Sequence, residues 1–124
     1  MKSLLAAVAA AAAILAPAAY ADCAYPHAPS HLPDGETATL KDMLAGMKSV
    51  NAYNHRMEAY LSCIKLERDS SIAQAGAKLT KQQKQELDAI EVQKHNAAVD
   101  QLHTVADKFN AQVKIFKTKG SKSG

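Results

Sequence analysis

The side chains of this chain that could react or hold a metal are two cysteines, five histidines and four methionines. Cys23 and Cys63 lie in no C-x-x-C arrangement. An even pair of this kind reads most simply as one disulfide, with a metal pair or two free thiols as the alternatives. His27 and His31 are four apart, but in a proline-rich stretch where that spacing does not share a helical face. His95 and His103 are eight apart, about 12 Å along a helix and too far to share an ion. His55 completes neither pair. Met43 and Met47 could offer thioethers to soft Cu(I), yet both fall on a hydrophobic stripe, as does His95. Thr39, Ser49 and Ser62 lack a His-and-carboxylate setting. No C-x-x-C-H, H-E-x-x-H or phosphate-binding glycine loop occurs. The expectation is a protein with no catalytic, cofactor-binding or metal residue, hence not an enzyme. A Cu/Zn-binding role stands as an alternative.

The N-terminus carries the three parts of an export signal. Lys2 supplies the positive region, Leu4 to Leu15 an uncharged Ala/Leu run, and Ala19-Tyr20-Ala21 the small residues that a signal peptidase reads. The expected cut falls between Ala21 and Asp22. The run is shorter than the roughly 20 residues a membrane span needs, and Asp22 before Cys23 spoils a lipobox, so no stable membrane anchor is expected after cleavage. Loss of Lys2 with this leader lowers the formal charge from +3 to +2. That excess is too weak to argue for nucleic acid. The reading is a periplasmic protein made of one small domain.

Residues 22–38 form a distinct zone. Pro26, Pro29 and Pro33 favour extended backbone, and Pro33-Asp34-Gly35 reads as a turn. From Thr39 the pattern becomes helical, opened by a Thr39/Asp42 capping box. Leu40, Met43, Met47, Val50, Tyr53, Met57, Tyr60 and Ile64 recur in steps of three and four, a coiled-coil-like seam. Gly76 is the expected break in a first helix of about 39–74. A second capping box, Thr80/Gln83 with Leu79 ahead of it, opens a helix of about 80–117. Its seam reads Leu87, Ile90, His95, Val99, Leu102, Ala106, Phe109, Val113 and Phe116. Residues 118–124, with Lys119 and Lys122, read as a disordered basic tail.

Two long helices joined by a short connection must run antiparallel. The expected fold is all-α: a long two-helix hairpin over 39–117 with a Pro-rich N-terminal arm stapled by one disulfide. Cys63 lies about 36 Å up the first helix, and an extended arm of sixteen residues reaches about 50 Å, so the arm can fold back to meet it. Leu44, Leu61, Val92, Val105 and Ile115 fall off the seam. Tyr25 and Leu32 of the arm can cover only part of that surface, which leaves room for a homodimer or a protein partner.

Two resemblances follow from particular residues. Leu79-Thr80-Lys81-Gln82-Gln83 fits the L-T-x-x-Q hallmark and resembles the small helical stress chaperones of the Gram-negative periplasm; the chain has one copy where that family carries two. The wider pattern Cys23-x-x-Pro26-x-x-Pro29, Pro33-Asp34-Gly35, Met43 and Tyr60-x-x-Cys63, with Asn96-x-x-Val99-Asp100 and Phe109-Asn110, is similar to a group of small exported proteobacterial proteins. That likeness implies export and paired cysteines. Asn96 and Asn110 would then tie the arm to the hairpin. The functional expectation is a non-enzymatic structural or protein-interaction module, with a periplasmic chaperone as the alternative.

Overall fold

A computed structural model describes residues 22–122; the leader read over 1–21, including Ala21 of the expected cleavage site, lies outside the described residues. Helix α1 spans Leu40–Ala75, a single 3-10 turn covers Gly76–Lys78, and α2 spans Lys81–Lys122. At 1.5 Å per residue the helices are about 54 Å and 63 Å long. The chain is an all-α antiparallel hairpin, and Cys23 and Cys63 are joined by a disulfide with their Cα atoms 5.8 Å apart.

Local chemistry explains each boundary. The Thr39 hydroxyl accepts from the Asp42 N–H at 3.2 Å while the Asp42 carboxylate accepts from the Thr39 N–H at 2.8 Å. This reciprocal pair satisfies donors that an uncapped helix would leave open. The Asp42 carboxylate also accepts from the Thr39 hydroxyl at 2.7 Å, and these two bonds to the carboxylate, first from the Thr39 side chain and then from its backbone, draw the Asp42 carboxyl below its ordinary pKa. Thr80 and Gln83 repeat the arrangement at α2, at 2.9 and 3.1 Å. Between them Gly76 takes φ +51°, a left-handed conformation that glycine adopts without a Cβ penalty.

Helix α2 runs to Lys122, past the expected end at 117 and into the stretch read as a disordered tail. A lysine holds it there. The Lys119 ammonium donates to the Ala38 carbonyl at 3.0 Å and lies 5.1 Å from the centre of the Phe116 ring, so the last turn is clamped to the start of α1. Gly120 weakens a helix interior by only about 1 kcal/mol.

The core is asymmetric. Helix α1 buries Met43, Gly46, Val50, Tyr53, Met57, Tyr60 and Ile64, whereas α2 buries Ala98, Val105 and Phe109. Helix α1 has two neighbours, α2 on one flank and the arm on the other, so its buried face is the broader. Pro33 of the arm lies against Gly46: a Cβ there would come within 2.6 and 2.7 Å of the Pro33 ring and 3.0 Å of the Phe109 ring. The absence of a side chain at Gly46 is what lets arm, α1 and α2 converge. Beside it the Asp34 carbonyl accepts from the Ala38 N–H at 2.8 Å, closing the turn. Gly35 packs on α2, where a Cβ would collide with the Gln112 carbonyl oxygen, and its N–H donates to Gln112 Oε1 at 2.8 Å.

Several residues expected on the seam lie elsewhere. Leu40 and Met47 are 62 % and 46 % exposed, and His95 is exposed. Val105, expected off the seam, is buried. The reason is a rotation of α2: its buried line runs through Ala98, Val105 and Phe109, beside the strict heptad column rather than along it. Ile115 is covered by the Gly35 turn. No described residue from Lys65 to Ala97 is buried. That distal third is bridged instead by Arg68–Asp88 at 3.0 Å and Lys94–Glu67 at 3.7 Å.

Candidate functional site

Near the disulfide the arm and α1 form an open cleft of about 640 Å³ lined by Tyr25, His27, Arg56, Tyr60 and Cys63, among others. Tyr25 meets Tyr60 edge to face, ring centres 5.0 Å apart, a favoured geometry for two aromatic quadrupoles. Burial, then the neighbouring Tyr60, pushes the Tyr25 phenol above its ordinary pKa; burial, then Tyr25, does the same to Tyr53. Both therefore remain protonated at neutral pH. The Tyr53 hydroxyl is buried without a hydrogen-bond partner. Beyond Cys63 a smaller hollow of about 230 Å³ lies between α1 and α2, lined by Ile64, Leu87 and Ile90 and flanked by the Arg68 and Lys94 ion pairs.

The opposite face of the hairpin carries no arm. The arm follows α1 along Asp42, Gly46 and Arg56 to Ala59 and Cys63, and α2 along Lys108, Ala111 and Ile115. A residue two positions from any of these stands about 200° round its helix. Leu44, Lys48, Glu58 and Leu61 therefore occupy the arm-free side of α1, and Ala106, Val113 and Lys117 that of α2. Leu40 and Met47 extend the same stripe at i, i+4 and i+7 with Leu44. This surface keeps large apolar groups in solvent: Leu44 is 52 % exposed and Val92 51 %. At the tip Leu66 and Ile90 are 65 % and 49 % exposed.

The residues singled out for chemistry do not converge. His27, His31, His55, His95 and His103 are all exposed, and His55 contacts Glu58 at 3.4 Å. Met43 is buried while Met47 faces solvent, so the two thioethers occupy different environments. Thr39 serves as a helix cap, and the Ser49 hydroxyl donates to the Ala45 carbonyl. Among the described residues no three His, Cys, Asp or Glu side chains are grouped as a metal would need, and no helix is long and apolar enough to cross a membrane. Asn96 and Asn110 are exposed; the tie between arm and α2 is made by Gln112 instead. The sequence signals for that tie were the glycines, Gly35 in a turn and Gly46 alone inside a helical pattern. Thr80 and Gln83 of the L-T-x-x-Q run are occupied in starting α2.

Comparison of the chain with family models, with curated proteins and with solved structures returns no match.

Proposed function

We propose that this chain is a small exported, non-enzymatic structural or protein-interaction module of the periplasm. One observation carries the reading: large apolar side chains stand in solvent in two groups, Leu40, Leu44 and Met47 near the base and Leu66, Ile90 and Val92 towards the tip. Grouped exposed apolar residues of this kind mark surfaces that another protein covers. The Lys2, Ala/Leu and Ala19-Tyr20-Ala21 pattern supports export, and a disulfide persists in an oxidising compartment.

Photo-crosslinking in the native host tests the proposal. A photoreactive residue at Leu44 or Leu66 should give discrete protein adducts in the periplasmic fraction, while the same group at exposed, polar Gln85 should not. Adducts absent from both apolar positions, or equal at all three, would overturn it.

A further inference from the structure

Helix α2 carries an apolar column that its own hairpin covers only in part, with Val113 against the core and Val92 half exposed. Val92, Val99, Ala106 and Val113 repeat every seven residues, the period of a coiled-coil seam. The line packed against α1 is a different one, through Ala98, Val105 and Phe109. The heptad column lies on the arm-free side: Val92 is half exposed, and Val99, Ala106 and Val113 are only partly covered.

We propose that this face binds a second copy of the chain in an isologous dimer, its two-fold axis crossing the helices at the level of Tyr53 and Leu102–His103. The proposal rests on the protein-interaction reading and supplies the partner for one of its surfaces. Self-complementarity carries the choice of partner. Lay α2 antiparallel on its copy about the midpoint between 102 and 103. Val113 then meets the partner copy's position 92, and Ala106 meets position 99, so that apolar residues face one another along the column. On α1 an axis at position 53 sets Leu44 opposite position 62, next to Leu61, and Lys48 opposite position 58, a glutamate. The two axes coincide. Gly46 beside Phe109 and Arg68 paired with Asp88 fix the hairpin register, and that register brings position 53 level with 102–103. The apolar column of α2 and the Lys48–Glu58 pair of α1 thus match themselves under one rotation.

The area suffices. The face from Leu40 to Leu61 is about 32 Å long, and two helices packed 8–10 Å apart present a width of about 20 Å. The product is about 600 Å² per copy and about 1,200 Å² in total, at the lower bound of a standard specific interface.

Sedimentation equilibrium of the oxidised protein from 1 to 200 µM tests this. A monomer–dimer equilibrium is expected. Leu44→Glu, at an exposed site, should abolish the dimer with helicity unchanged by circular dichroism. Lys48→Glu, which sets like charges opposite each other twice, should weaken it about tenfold at low salt, and Lys48→Glu/Glu58→Lys should restore it. A strict monomer at 200 µM, or a dimer indifferent to Leu44→Glu and to the charge exchange, would overturn the proposal. Adducts at Leu66 with other proteins would leave the interaction-module reading standing in either case.

Discussion

Gly46→Ala is the substitution that most sharply separates an arm seated on α1 from one merely tethered to it. On helix propensity alone, alanine in place of a mid-helix glycine stabilises by about 1 kcal/mol. Here the new Cβ would meet two Pro33 ring atoms at 2.6 and 2.7 Å and Phe109 Cε2 at 3.0 Å. Neither ring can step aside freely. Pro33 is rigid and sits between the Cys23 disulfide and the Gly35–Gln112 hydrogen bond, while Phe109 is buried between the helices. Overpacking of this kind costs about 1–3 kcal/mol. The clash outweighs the propensity gain, and a net loss of about 1 kcal/mol is expected in urea denaturation. Pro33→Ala removes the two nearest ring atoms. In that background the same change should become neutral or stabilising, for a coupling of about 1–2 kcal/mol in the double-mutant cycle. A Gly46→Ala protein that gains about 1 kcal/mol in both backgrounds, with coupling below about 0.3 kcal/mol, would refute the reasoning.

Three further outcomes follow from the same geometry. Replacing both Cys23 and Cys63 by serine frees a loop with a sequence separation of 40. It should lower the unfolding free energy by about 4 kcal/mol on the chain-entropy account, read as a fall in urea midpoint; an unchanged midpoint would contradict it. Tyr53→Phe removes a buried hydroxyl that has no partner and should stabilise by about 1 kcal/mol; a comparable loss would mean that the hydroxyl is satisfied. The Asp42 carboxyl has its pKa lowered in the folded state by the Thr39 bonds. Its stabilising effect is therefore complete above the unfolded pKa of about 3.9 and lost as pH falls through the lower folded value. The stability gap between wild type and Asp42→Ala should accordingly be open at about pH 6 and close towards about pH 2. A gap independent of pH would show that the charge plays no part.

Much of the fold was legible because its signals are local. Thr39 with Asp42, Thr80 with Gln83 and Gly76 each act within one turn of backbone, and each does in the structure what its residue type predicts. The cysteine pair was legible from counting and reach. What the pattern left open is which neighbour covers which part of an apolar stripe. A three–four repeat marks a face of a helix but not whether a helix, an arm or a second molecule lies on it. Helix α2 shows this directly, since Ala98 and Val105 are buried next to a heptad column that is better spaced and less covered. His95 was placed in the seam by the same ambiguity. The helical extension to Lys122 depends on a lysine reaching across to Ala38, a tertiary contact that no periodicity encodes. The arm's seat was announced only by two glycines, whose meaning depends on what approaches them.

The packing of the arm across both helices is reported directly by the amide of Gly35. It lies in a turn, so no helix or strand protects it; its only shelter is the bond to Gln112 and burial against α2. Hydrogen exchange followed by NMR should find this amide slowed by at least about a hundredfold relative to an unstructured glycine, in step with the α2 core. Exchange at the unprotected rate, with both helices still protected, would mean that the arm hangs free of the hairpin.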